Sequence, residues 1–162
     1  MQKWVTGLII AFTVCSTVAN AARIEIELEI PSINANPYHK PYIAVWLETP
    51  ERKPVATLAI WHERDTWLKD LRQWWRKIGR TGRENLDAVT GATRKPGQYS
   101  IAWQSDALRE KPLASGRYLL NFEASREEGD RSYHRREITL GSSARIHIPA
   151  EGEFGEITII TE

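Results

Sequence analysis

The residues with the clearest chemical potential lie in one short run, Asp87-Ala88-Val89-Thr90-Gly91-Ala92-Thr93. An acid opens the run, and two threonine hydroxyls enclose one glycine and one alanine. A threonine hydroxyl is a weak nucleophile and reacts only when a base or metal ion activates it. Gly91 lets the backbone approach another surface closely, and Ala92 adds almost no bulk beside the hydroxyls. The run therefore reads as a place where a group is joined to a threonine. It reads equally as a plain surface loop, with Asp87 and Thr90 as turn formers and Gly91 as a turn glycine. Its surroundings are basic. From Arg64 to Lys95 there are nine lysines and arginines against four acids, which suits a local anion site.

The chain that must position this run has 162 residues, enough for one domain with a real core. Its 22 basic and 21 acidic residues nearly cancel, which argues against general nucleic-acid binding. Residues 1–21 read as a secretory signal peptide: Lys3, an apolar stretch from Val5 to Val14, and the small-residue site Ala19-Asn20-Ala21. Export to the periplasm follows, with cleavage near Ala21. No twin-arginine pair precedes the apolar stretch, so export in the unfolded state is expected. The single cysteine, Cys15, lies inside the signal, and Val14 before it suits lipoprotein processing poorly. The mature chain then has no thiol for disulfides, catalysis or metal ligation.

Residues 22–162 read as a single mostly β domain. Ile24, Ile26, Leu28 and Ile30 alternate with Glu25, Glu27 and Glu29, the pattern of a half-buried strand. "PYIAVWLE" and "VATLAIW" are apolar on both faces, as central strands are. "YSIAW", "RYLLNFEA", "REITL", "RIHI" and "EITII" follow as short strands, and "REEGDR" as a hairpin turn with Gly129 at positive φ. Regular short strands with turn signals predict an antiparallel β-sandwich. One helix interrupts the pattern. In "TWLKDLRQWWRKIGR", Trp67 or Leu68, Leu71, Trp74 or Trp75, and Ile78 recur at helical spacing, while Lys69, Arg72, Arg76 and Arg80 take another face. Asp65 or Thr66 is the expected start cap and Gly79 the expected end cap. This helix and the aperiodic stretch from Arg80 to Pro96 form an insertion at about residues 64–97. His62, His134 and His147 lack metal-ligand spacing, and His147 is expected to face water from a strand.

Three resemblances add to this reading. Gly97-x-Tyr99 and Gly116-x-Tyr118 precede successive strands, with Trp103 ending the first. That pattern resembles the immunoglobulin-like domain of flagellar hook-capping proteins, and it implies an immunoglobulin-like sandwich. Asp87 to Thr93 fits D-x-x-[ST]-G-A-[TS], which resembles the acceptor sequence of bacterial flavin transferases. Those enzymes move FMN from FAD onto the last hydroxyl of the motif as a phosphodiester. Finally, "YHKPYIAVWLE", "WLKDLRQWW" and "DAVTGAT" are similar to a predicted periplasmic family of unknown function whose members tend to accompany a flavin transferase and membrane redox proteins.

The acceptor resemblance implies FMN on Thr93, with Asp87 read by the transferase or orienting the segment, Thr90 shaping the turn, and Gly91 and Ala92 giving access. Arg94, Lys95, Arg80 and Arg83 are then candidates to neutralise the phosphodiester. Trp74, Trp75 and Trp67 are candidates to stack on the ring, or else core residues. Tyr38, His39 and Tyr42 are further candidates for a pocket wall. The implied role is a periplasmic electron carrier, more than a stand-alone enzyme, with a membrane redox protein as donor or acceptor. The competing expectation is a cofactor-free binding or assembly module of hook-cap-like fold.

Overall fold

A computed structural model describes residues 21–81, 86–108 and 113–162. Arg83 and the signal segment before Ala21 lie outside these residues, as does Pro112. The chain forms two sheets with a helical insertion, the mostly β sandwich expected from the strand pattern.

The first sheet has the order β5-β1-β9-β8, from β5 (Gly97–Gln104), β1 (Arg23–Ile30), β9 (Ile157–Thr161) and β8 (Ala144–Ile148). The second has the order β4-β3-β2-β6-β7, from β4 (Thr90–Gly91), β3 (Pro54–Trp61), β2 (Tyr42–Glu48), β6 (Gly116–Ser125) and β7 (Arg131–Leu140). All pairings are antiparallel except β3 with β4. The alternation of β1 is realised fully, since Ile24, Ile26, Leu28 and Ile30 are all buried. They meet Ile43, Val45, Leu47, Leu120 and Phe122 from the second sheet in the main core. Every residue of β2 is buried, as a central strand covered on both faces requires. His147 is exposed on β8.

The two Gly-x-Tyr pairs have the same local geometry. Gly97 and Gly116 take φ of 152° and 147°, values that side-chain-bearing residues rarely adopt. Two residues on, Tyr99 donates its hydroxyl to the Lys95 carbonyl at 2.8 Å and Tyr118 to that of Ala114 at 3.0 Å. Each tyrosine thus ties the incoming loop to the strand it starts.

The second layer of core lies outside the second sheet. Tyr42, Ala44 and Trp46 from β2 and Ile60 from β3 are covered by Leu68, Leu71 and Trp74 of the insertion. The apolar and basic faces separate as the periodicity predicts, with Lys69, Arg72, Arg76 and Arg80 exposed. The helix itself is not continuous. A 3-10 helix over Asp65–Asp70 ends at Leu71, whose ψ is 70°, and an α-turn over Arg72–Trp74 runs into a π-turn over Trp75–Gly79. Neither Asp65 nor Thr66 caps it. The acceptor comes from another element: the buried Glu123 carboxylate on β6 accepts the amides of Gln73 at 3.0 Å and Trp74 at 2.9 Å. The chain breaks at Leu71 where this second start is capped, so one expected helix becomes two short pieces.

Two glycines serve a different purpose from the one expected. Gly79 has no positive φ and is no end cap. A Cβ there would sit 2.6 Å from the Trp75 ring and 2.7 Å from that of Trp74, so glycine is required for space. In the β6–β7 turn the residue at positive φ is Glu128, with φ of 54°, and not Gly129. Gly129 lies under the Arg126 guanidinium, which a Cβ would strike. That guanidinium is held in turn by Glu153 at 2.9 Å.

Candidate functional site

The run from Asp87 to Thr93 begins as a turn and ends as a crossing between sheets. Asp87–Val89 form one 3-10 turn, closed by the Val89 amide to the Leu86 carbonyl at 3.0 Å. Thr90 is exposed, and its hydroxyl donates to the same carbonyl at 2.7 Å. The turn-forming role expected of Thr90 is therefore what its hydrogen bond does. Leu86 and Val89 pack against the outer core that the insertion forms with β2 and β3.

β4 then adds to the edge of β3, with Thr90 opposite Ile60 and Gly91 opposite Trp61. The His62 amide donates to the Gly91 carbonyl at 2.9 Å. A Cβ on Gly91 would lie 3.3 Å from the Trp61 indole, so glycine permits this close approach. Since β4 is the edge of the second sheet and β5 the edge of the first, residues 92–96 strap one sheet to the other.

Inside the strap the side chains alternate. Ala92 and Lys95 are exposed, whereas Thr93 is only 7% exposed and its Oγ1 has no hydrogen-bond partner among the described residues. Arg94 packs against two rings, its guanidinium carbon 4.2 Å from the Trp61 centroid and 4.9 Å from that of Tyr99. Those rings meet edge to face at 5.6 Å. The Tyr99 hydroxyl bond to the Lys95 carbonyl closes the far end of the strap.

A cleft of about 470 Å³ opens beside the turn, lined by Ile60, His62, Asp65, Leu68, Leu86, Asp87 and Thr90. Its floor is apolar and its rim polar. His62 Nδ1 stands 3.5 Å from Asp65 Oδ1 without closing a hydrogen bond. The motif is thus split between two places: Asp87 and Thr90 face the cleft, while Thr93 and Arg94 turn toward the sheet edges.

The tryptophans singled out by spacing sit elsewhere. Trp74 is fully buried, and its indole Nε1–H donates to Thr57 Oγ1 on β3 at 3.1 Å. It has no exposed ring face. Trp75 and Trp67 are half-buried and pack against the same outer core. Arg80 is exposed at the end of the insertion. Tyr42 is buried in the outer core, and His39 pairs with Glu127 at 3.6 Å, at the β6–β7 turn. Trp61, Tyr99, His62 and Asp65 are the site residues that sequence reasoning missed. Trp61 carries no local signal, because the β3–β4 pairing that brings it to Gly91 spans 30 positions. Tyr99 was visible only as part of the Gly-x-Tyr pattern.

The polar groups beneath the insertion are its anchors. Glu48 is buried, accepts Trp46 Nε1–H at 2.9 Å and pairs with Lys77 at 2.8 Å. Burial pushes the Glu123 carboxyl above the usual glutamate range, against the opposing pull of the Trp74 and Gln73 amides and Arg131. Burial likewise raises the Tyr133 hydroxyl, which donates to Asn121 Oδ1 at 2.7 Å.

No helix among the described residues is long and apolar enough to cross a membrane. No curated protein and no solved structure matches the chain. The family model described as a predicted periplasmic protein, DUF2271, matches residues 23–156, from the start of β1 to the residue before β9, and the chain belongs to that family.

Proposed function

We propose that this chain is an exported electron-transfer flavoprotein that carries FMN on Thr93 through a phosphodiester, placed there by a flavin transferase. The observation that carries the reading is the pairing of the acceptor-like run with an uncommitted hydroxyl at its last position. A buried polar atom without a partner costs roughly 1–3 kcal/mol and calls for an explanation. Thr93 Oγ1 is such an atom, whereas the Thr90 hydroxyl is already committed to Leu86.

The residues present fit the group. Arg94 and Lys95 follow the acceptor directly and can supply charge-assisted hydrogen bonds to a phosphodiester. The cleft beside the Asp87–Thr90 half of the run, which Thr93 itself does not line, falls within the roughly 300–1,000 Å³ typical of small-molecule sites. FMN, once attached, supplies reversible one- and two-electron transfer. The chain's own part is to tether the phosphate at Thr93 Oγ1, offset its charge with Arg94 and Lys95, and offer the apolar floor of Ile60, Leu68 and Leu86. A covalent tether suits a protein that crosses a membrane unfolded, because a loosely held cofactor would not cross with it. The electron partner in this reading is a membrane redox protein. Cleavage after Ala21 leaves Ala22 as the mature start, where its nitrogen donates to Ser105 Oγ at 3.0 Å.

Intact mass of the protein taken from its own periplasm tests the proposal. The expected mass is that of a chain starting at Ala22 plus one FMN less water, with the addition lost in Thr93→Ala and kept in Thr93→Ser. An unmodified chain, even when produced with a flavin transferase, would leave the cofactor-free binding module as the better reading.

A further inference from the structure

We propose that the flavin transferase acts on a chain whose strap is undocked, and that the closed strap is a latch that shields the acceptor hydroxyl. This rests on the reading of Thr93 as the acceptor.

The argument is one of reach. In the transfer, Thr93 Oγ1 bonds to the FMN phosphorus of FAD, the pyrophosphate bond to AMP breaks, AMP leaves, and the hydroxyl proton passes to a base of the transferase. The oxygen must come within about 3–3.5 Å of that phosphorus, inside another protein's active site. In the closed strap Thr93 is 93% buried, at the crossing from the second sheet to the first. No substrate deep in a second enzyme can meet it there. The exposed hydroxyl of the motif is that of Thr90, three residues before its last position.

The strap is built to open. β4 is only two residues long and lies at a sheet edge. Beyond the short pairing of β4 with β3, the contacts that hold it are few and local: the His62 amide to the Gly91 carbonyl, Arg94 against Trp61 and Tyr99, and the Tyr99 hydroxyl to the Lys95 carbonyl. All can break while both sheets stay paired, since β4 joins nothing but β3. Local openings of this kind cost far less than global unfolding. The missing partner for Thr93 Oγ1 lowers the cost further, because opening hydrates that atom and breaks no bond to it. Attachment of a phosphodiester to this oxygen then prevents return to the same buried position. Arg94 is freed from the Trp61 and Tyr99 rings, next in sequence to the new phosphate.

The test is the rate of covalent FMN gain by the folded mature chain, with purified flavin transferase, FAD and Mg²⁺, followed by intact mass and peptide mapping. Tyr99→Phe removes one latch bond and leaves the ring in place. Its urea midpoint and the hydrogen exchange of the His62 amide, measured beside the rate, separate release of the strap from unfolding. The expected result is slow labelling of the folded wild type, fast labelling of heat-unfolded chain, and an increase of about fivefold in Tyr99→Phe, the weight of one hydrogen bond, with faster His62 exchange. Folded wild type labelled as fast as the unfolded chain, with Tyr99→Phe unchanged, would overturn the latch and leave Thr93 as the acceptor. FMN found on Thr90 of the folded chain would overturn it as well. No FMN on either form of the chain would remove the acceptor reading itself.

Discussion

Glu123 offers the sharpest test of how the insertion is seated. Replacing it by alanine removes the acceptor for two backbone amides, Gln73 at 3.0 Å and Trp74 at 2.9 Å, and the partner of Arg131 at 3.4 Å. A buried amide left without an acceptor costs about 1–3 kcal/mol. Gln73 is half-buried and recovers part of its loss through water, so the expected cost of Glu123→Ala is about 3–4 kcal/mol. Glu123→Gln keeps one acceptor oxygen and should cost about 1–2 kcal/mol. The pH dependence gives a second, independent reading. Burial raises the folded-state pKa of Glu123 above its unfolded value, so the native state holds the proton more tightly. Its contribution is fully present below the ordinary glutamate range, about 4.3, and is lost as pH rises through the raised folded value. Urea unfolding of wild type and Glu123→Gln over a series of pH values should show this decline in the wild type and its absence in the variant. Amide exchange at Gln73 and Trp74 should rise in Glu123→Ala before that of the β1 amides. An alanine variant within about 0.5 kcal/mol of wild type, or equal pH slopes in wild type and Glu123→Gln, would refute the reasoning.

Two further outcomes follow from buried groups and close contacts. Lys77→Met strands the Glu48 carboxylate with Trp46 Nε1–H as its remaining partner and should cost about 3–5 kcal/mol in urea unfolding, with much of that recovered in the Glu48→Gln, Lys77→Met double variant. Gly79→Ala drives a methyl into the Trp74 and Trp75 rings and should cost about 1–3 kcal/mol by thermal unfolding, with a change in tryptophan fluorescence that a simple loss of an end cap would not produce.

Several features were legible from the chain alone because backbone geometry repeats locally. Alternation of period two settled which face of β1 is buried, and a run apolar on both faces marked β2 as central. The apolar and basic faces of the insertion were likewise legible from helical spacing, even though the helix is broken. The Gly-x-Tyr pairs announced strand starts, since glycine supplies the φ and the tyrosine bonds four residues back.

What only the tertiary structure decided involves partners far apart in sequence. The cap of the insertion comes from Glu123, 50 positions beyond Gln73, so no cap signal existed near the break at Leu71. Trp74 could be core or ring platform by spacing. Its bond to Thr57 and its complete burial made it core, because the insertion lies across a sheet face that has to be covered. Gly79 and Gly129 looked like turn glycines, yet at each a side chain from its own neighbourhood occupies the space of a Cβ, packed tryptophan rings at Gly79 and the Arg126 guanidinium at Gly129. The acceptor-like run shows the same division most plainly. Its residue types raise the question of attachment at Thr93. Burial of that hydroxyl, and the packing of Arg94 against Trp61 and Tyr99, depend on a strap joining the edges of two sheets. Sheet edges meet through strand order and register, and these are fixed by long-range pairing that leaves no trace in a seven-residue window.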